Sequence, residues 1–390
     1  MGLINTNYAK DFELPSWLKF DFILLFLAVL LQQVHPVFAC VIFILMFIRD
    51  SIRGVSYRIL CFYNIFVFVI FAQFFYCGYT NGNMTFYNAI WYSVPSVIAV
   101  MLGHNYALKL NNPKLIIIFL FCISLFLALP HIIITVRDIL SNGLINPDRS
   151  LSIDGYDETQ RAITARTVEL SLAICGIAAI FIKKLNAPLR ISNLFIILSV
   201  LAELCTLHFV SRTGIAILII ALITGLLYKK IDAKQVIMLV MISFLVYKLF
   251  ENSGFLDVFS ERERDGSSIM DAGGRTERWA IGFAALLENP LGYHIEDWFA
   301  HNFWLDFGRV GGLIAFFLLC IFSILLFAKT IKLRSFQIIG GYNCLLIVVF
   351  SVTFLATLFT EPVHSGAPMY MYMYFLFAGF VDGLFNFNKS

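Results

Sequence analysis

Ser211-Arg212-Thr213-Gly214 separates two apolar runs, one ending at Val210 and the next beginning at Ile215. With no long loop around it, Arg212 must lie at the edge of an apolar layer. A planar guanidinium fork placed there suits a diphosphate or a carboxylate; the plainer reading is an interfacial anchor. A second cationic group follows Gly273-Gly274, where Arg275 to Glu288 is a run of good helix formers ended by Asn289-Pro290 and Gly292. Trp279, Phe283, Leu286 and Leu287 recur at i, i+4, i+7 and i+8 and form one apolar face, with Arg275 and Arg278 on its flank near the N-terminus. Such a helix, 275–288, is expected to lie on a membrane surface. Its first turn adds unpaired backbone N–H groups and the positive end of the helix dipole, so it forms an anion cradle with Arg275 and Arg278. Against this, Glu277 could pair with its neighbours.

His301-Asn302 precedes the apolar run that starts at Phe303, with Asp297 and Asp306 close in sequence. Neutral imidazole can take a proton from a sugar hydroxyl, and a nearby carboxylate would fix its tautomer. A boundary histidine is also a common interfacial residue. His294 is the competing position, and Asn302 and Glu361 are accessory ones. Glu361-Pro362 and His364 fall in the last polar turn on the same side, while Glu169 and Glu203 lie inside apolar runs, where an acid needs a partner or a wet cavity. Lys248 is near a helix end and is expected to snorkel. There is no Walker loop, HExxH or aspartate-rich metal motif, so the expectation is chemistry with no metal and no cofactor.

The elements that must position these groups follow from composition. In 390 residues, 60% are hydrophobic and 14% charged, which is too apolar for a soluble fold of this size. The apolar residues gather into blocks of the length a helix needs to cross a bilayer. Stretches such as Leu115 to Ile134 are apolar on every side, which excludes the alternating strands of a barrel. The expected fold is all-α, a single polytopic bundle over residues 1–390 with about twelve spans.

The spans are placed near Leu18 to Leu31, Val37 to Ile48, Ile59 to Cys77, Ala89 to Leu102, Leu115 to Ile134 and Thr167 to Ile182. Six more fall near Ile191 to Val210, Ile215 to Tyr228, Val236 to Phe250, Phe303 to Phe327, Ile338 to Phe359 and Met369 to Phe385. Gln32, Gln33, His35 and Pro36 interrupt the opening pair, which reads as a tight hairpin or as one span.

Lys and Arg fall on alternate connections: Arg49, Arg53 and Arg58; Lys109 and Lys114; Lys183, Lys184 and Arg190; Lys229, Lys230 and Lys234; Lys329, Lys332 and Arg334. By the positive-inside rule those connections and both termini are cytoplasmic. Two long loops then face outward, 135–166 and 251–302, and the polar residues are expected to concentrate there. The first run closes on no small-residue cleavage site, so no removable signal peptide is expected. The eight cysteines sit in or beside apolar runs without metal-ligand spacing and read as packing residues.

Taken together, Ser211-Arg212-Thr213-Gly214 opening a span, Gly274-Arg275 leading to Trp279, Glu288-Asn289-Pro290-Leu291-Gly292, and His301-Asn302 before Gly308, Gly311 and Gly312 form an ordered pattern. This pattern resembles the bacterial O-antigen ligase and O-antigen polymerase family over about Ile191 to Phe327, and the flanking spans by topology alone. The resemblance implies a multi-pass protein of the bacterial cytoplasmic membrane with its site on the periplasmic side. It implies a glycosyltransferase whose donor is an undecaprenyl diphosphate-linked glycan, using neither metal nor nucleotide sugar. The acceptor would be a second lipid-linked glycan in a polymerase, or lipid A core in a ligase. Membrane lipids and a chain-length regulator protein would be its other partners, with no role for nucleic acid. On this resemblance Arg212, with Arg275 or Arg278, holds the diphosphate, and His301 accepts a proton from the acceptor hydroxyl or orients it. The length, the phenylalanine-rich make-up and two outward loops able to grip two glycans favour the polymerase.

A polysaccharide-lipid flippase is the more distant reading. It would want charged residues in a central cavity and two related halves, whereas no internal repeat stands out and the cationic and histidine positions gather on one side. A membrane scaffold would leave that one-sided cluster without a reason.

Overall fold

A backbone surrounded by hydrocarbon can satisfy its N–H and C=O groups only along its own axis, so the apolar runs are forced into helices. The computed structural model describes residues 15–53, 62–110, 113–146, 151–153, 156–158, 160–182, 189–228, 241, 248, 260, 275–294, 300–333, 341–361, 363 and 367–387. Within them lie twelve α-helices: α1 Ser16–Gln32, α2 Pro36–Ile52, α3 Phe62–Thr80, α4 Phe86–Lys109, α5 Pro113–Asn142, α6 Gln160–Ile174, α7 Leu189–His208, α8 Arg212–Tyr228, α9 Arg275–Glu288, α10 Phe303–Lys332, α11 Gly341–Thr360 and α12 Pro368–Phe387. A 3-10 helix, Cys175–Ile182, continues α6, and the Ile174 carbonyl at the junction accepts from Ser199 Oγ at 2.6 Å. Six helices, α3, α4, α5, α7, α10 and α11, are long and apolar enough to cross a membrane. The chain is a helical membrane protein.

The opening pair is a hairpin of two helices. Pro36 starts α2, its missing N–H costing nothing at a first helical position, and His35 Nδ1 accepts from the Val37 N–H at 3.3 Å. The connection expected over 135–166 is shorter than the sequence suggested. Helix α5 continues to Asn142 and α6 begins at Gln160, and between them β1 Leu151–Ile153 pairs antiparallel with β2 Tyr156–Glu158. The polar residues that read as loop are instead absorbed by contacts between helices. Asp138, on α5, accepts from His208 of α7 at 2.6 Å and from Asn142 at 2.6 Å. Apart from residues 241, 248 and 260, the expected span Val236 to Phe250 and the stretch 251–274 lie outside the described residues.

Helix α12 is the centre of the bundle, buried from Pro368 through Phe385. It can occupy that place because it crosses α4 on glycines. A Cβ added at Gly379 would fall 2.0 Å from the Val100 carbonyl oxygen, one at Gly383 2.8 Å from that of His104, and one at Gly103 1.9 Å from that of Leu376. Small residues four apart that let two backbones touch are a common device of membrane helix packing. Above the crossing the three tyrosines of α12 find partners on three different helices. Tyr370 accepts from Ser171 of α6 at 2.9 Å, Tyr372 donates to the Trp91 carbonyl of α4 at 2.6 Å, and Tyr374 shares a 2.9 Å bond with Ser323 of α10. A phenol without such a partner would carry the full cost of desolvating its hydroxyl.

Helix α10 is broken at Gly312, whose φ of 80° and ψ of 175° are non-helical. The segment after α9 repairs the break: Leu313 N–H donates to the Pro290 carbonyl at 2.8 Å, and Tyr293 N–H donates to the Arg309 carbonyl at 2.9 Å. A Cβ at position 312 would sit 2.7 Å from the Pro290 oxygen, and the backbone there favours glycine. Gly312→Ala is expected to cost about 1–3 kcal/mol, read as a lowered midpoint of thermal unfolding in detergent.

Candidate functional site

The turn at Ser211 is built for tightness. Ser211 Oγ accepts from the Gly214 N–H at 3.4 Å and so caps α8. Gly214 lets α8 approach α7, since a Cβ there would lie 2.4 Å from Thr206 Oγ1. Ser211 N–H returns to the Thr206 carbonyl at 3.0 Å. The turn forces Val210 to a φ of 50°, a costly conformation for a β-branched side chain. Arg212 and Thr213 are thereby held on the first turn of α8, both partly buried.

The end of α11 receives what this turn presents. Thr213 Oγ1 donates to Glu361 Oε1 at 2.5 Å, and Arg275 Nη2, at the first position of α9, donates to the same oxygen at 3.2 Å. Trp279, one turn along α9, packs edge-on against Phe359, with ring centroids 4.7 Å apart. Asn302 Oδ1 caps α10 by accepting from the Leu305 N–H at 3.2 Å, while its Nδ2 donates to the Phe359 carbonyl at 3.4 Å. The N-termini of α8, α9 and α10 thus converge on residues 359–361, and all three point the positive ends of their dipoles there.

Among the described residues three buried polar atoms of this cluster have no hydrogen-bond partner: Glu361 Oε2, Trp279 Nε1 and His301 Nδ1. Buried polar atoms left in this way carry a desolvation cost. His301 has a φ of 53°, a conformation uncommon for a residue other than glycine. Burial, and then the guanidinium groups of Arg275 and Arg278, push its pKa down to about 4. The ring is therefore neutral near pH 7.

The sequence had left Glu361 as an accessory; the structure makes it the hub. Arg275 and Arg278 are near enough to His301 to act on it electrostatically. At the α8 end the contact to Glu361 is made by Thr213, one residue beyond Arg212.

One expectation is corrected. The Asp306 carboxylate does not fix the His301 tautomer, because its oxygens accept from the backbone N–H groups of Ala300 at 2.8 Å and Asn302 at 3.3 Å. It shapes the loop that carries His301 instead. The buried stripe of α9 runs through Gly282 and Leu286, while Phe283 and Leu287 are exposed. This follows because α9 leans on α10, where a Cβ at Gly308 would meet Leu286 Cδ2 at 2.9 Å.

His294 is exposed and bonds Asn83 at 3.0 Å. His364 and Asp297 lie outside the described residues. The cysteines at 40, 77, 175, 205 and 344 are buried.

Three polar groups inside the bundle had no sequence signal beyond their improbable position. His208 Nε2 bonds Asp138 at 2.6 Å and its Nδ1 faces the Leu144 carbonyl at 2.9 Å. Glu169 accepts from His131 and, at 3.4 Å, from Gln33, while Arg166 lies 3.4 Å from His131 Nδ1. Glu203 is buried near Thr206, whose hydroxyl is 3.4 Å from its carboxylate. Among the described residues no group of three His, Cys, Asp or Glu is placed to hold a metal ion.

Fold and site define a helical membrane protein with a cation-rich, partly unsatisfied polar cluster at one end of the bundle. No family model matches the chain, and no curated protein matches it significantly.

The His301 shift has a signed consequence. Between its ordinary value of 6.5 and about 4, the unfolded chain takes up a proton that the folded chain does not, so acid in this window favours unfolding. Following the labelled His301 ring by NMR should give a pKa near 4, moving up toward 6.5 in Arg278→Gln. His301→Gln should flatten the loss of stability between those pH values.

Proposed function

We propose that this protein is a glycosyltransferase that polymerises undecaprenyl diphosphate-linked oligosaccharide repeats on the periplasmic face of the bacterial cytoplasmic membrane. The observation that carries the reading is the meeting of Thr213 and Arg275 on Glu361, with His301 within electrostatic reach of Arg275 and Arg278. The side assignment rests on the alternation of Lys and Arg along the chain.

No ATP exists outside the membrane, so the bond energy must arrive with an activated lipid. The diphosphate of the donor would lie against Arg212, Arg275 and Arg278 at the positive ends of α8 and α9. The acceptor hydroxyl would meet His301 Nδ1. A bond forms between the acceptor oxygen and the anomeric carbon of the donor sugar as the bond from that carbon to the diphosphate oxygen breaks. The hydroxyl proton passes to His301, and the guanidinium groups stabilise the charge gathering on the leaving diphosphate.

A base with a pKa near 4 is weak. A bound diphosphate offsets the two guanidinium charges that depress it, so the base strengthens when the donor is in place. Attack from the face opposite the diphosphate inverts the anomeric carbon.

The test uses purified protein with a lipid-linked repeat. His301→Ala should slow transfer by about 10²–10⁴-fold and Arg275→Gln by about 10²-fold, with both variants still folded and membrane-bound. Normal long chains from both would remove the assignment, as would a product that keeps the donor's anomeric configuration. In a deletion strain, lipid A core capped with a single repeat supports the polymerase. Long chains accumulating on the carrier lipid would instead indicate a ligase.

A further inference from the structure

At the opposite end of the bundle from Glu361, where α1 begins and α2 and α4 end, there is a cavity of about 460 Å3. It is lined by Trp17, Asp21, Arg49, Asp50, Arg53 and Lys109. The cations come from two separate connections, and the fold brings them to one place. Asp50 organises them: its Oδ1 accepts from Arg49 at 2.5 Å, and its Oδ2 accepts from Asn105 at 3.0 Å and Lys109 at 3.4 Å. Arg49 also pairs with Asp21 at 2.5 Å. Three cations against two carboxylates leave the lining with one positive charge in excess. Arg53, at the end of α2, is exposed.

The surroundings say what kind of anion could fill the space. Lys109 Nζ stands 5.1 Å over the Trp17 ring and Arg49 5.4 Å over that of Phe20, the pairing of aromatic rings and cations typical of headgroup depth. From the cavity two apolar stripes run toward the middle of the bundle on its outer surface. On α1 the exposed residues are Phe20, Ile23, Leu27 and Leu30, and on α2 they are Ile52, Ile48, Leu45, Val41 and Phe38. Each stripe follows steps of three and four, one helix face. A charged pocket continuous with two exposed apolar tracks matches a phosphate joined to acyl chains. A free phosphate ester would have no use for the tracks.

We propose that this cavity binds the phosphate of an anionic glycerophospholipid, with Arg53 and Lys109 gripping the headgroup and the acyl chains lying along α1 and α2. The excess positive charge selects an anionic headgroup over a zwitterionic one. By the Lys and Arg alternation this end faces the cytoplasm, where such lipids concentrate. A bound headgroup would tie the α1–α2 hairpin to α4 and hence to the central helix.

The test is native mass spectrometry of the full chain released from nanodiscs of phosphatidylglycerol or phosphatidylcholine. Wild type should retain phosphatidylglycerol in preference to phosphatidylcholine, and Arg53→Gln and Lys109→Gln should each weaken retention about fivefold. Lys332→Gln, a cation elsewhere in the chain, should leave retention unchanged. Equal retention of the two lipids, or equal loss in all three variants, would overturn the proposal. So would displacement of the lipid by millimolar inorganic phosphate, which would make the site one for free phosphate esters. A measurement on wild type alone guards against misfolded variants. Phosphatidylglycerol carrying a photoreactive headgroup should crosslink to the peptides holding Trp17 and Arg53, and crosslinking confined to the end holding Glu361 would refute the site.

Discussion

The bundle depends on one close approach, the backbone contact of α4 and α12 at Gly103, Gly379 and Gly383. In hydrocarbon there is no water to expel between helices, so association rests on van der Waals contact and on hydrogen bonds that need short distances. With glycine at the crossing, α12 can sit in the middle of the bundle, and its tyrosines then reach Ser171, Trp91 and Ser323. The same helix carries Asp382 to a site where Lys329 and His104 meet it. Both the apolar packing and the polar ties of several helices are therefore referred to one axis.

The site at the other end uses a different economy. Three helix N-termini and two arginines concentrate positive potential around residues 359–361, and among the described residues Glu361 is the carboxylate that Thr213 and Arg275 both reach. One oxygen of that carboxylate takes both donors while the other takes none. An acid so placed is a resident anion: it keeps α8, α9 and α11 together when no ligand is present. On the proposed reading it also marks the place that a diphosphate would share.

Much of this was legible in the sequence, for physical reasons. Apolar runs of bilayer length must be helices, and Pro36, the Asn289-Pro290 pair and Gly292 stop or start them by rules that hold locally. The Arg275–Glu288 helix is bounded by such signals on both sides. The polar contacts between distant spans were not legible. Asp138 and His208 are seventy positions apart, and nothing local tells a polar residue in a helix end from one in a loop, so the connection over 135–166 read too long. The role of Asp306 was missed for the same reason. A carboxylate beside a histidine in sequence suggests a pair, but the first turn of α10 turns Asp306 back onto the N–H groups of the loop. The turn residues Ser211 and Gly214 were visible as a motif, while the partner of Thr213, at Glu361, could come only from the fold.

The break in α10 at Gly312 carries a mechanical consequence. Because the carbonyls of Pro290 and Arg309 are spoken for by Leu313 and Tyr293, the tail of α9, residues 289–293 and the first nine residues of α10 are stitched into a closed frame. His301 lies two residues before the start of α10, and Arg275 stands at the far end of α9 from the frame. Because Leu313 is tied to Pro290, the part of α10 beyond the break starts from the same frame, and residues 289–293 fix where the two halves of the helix meet.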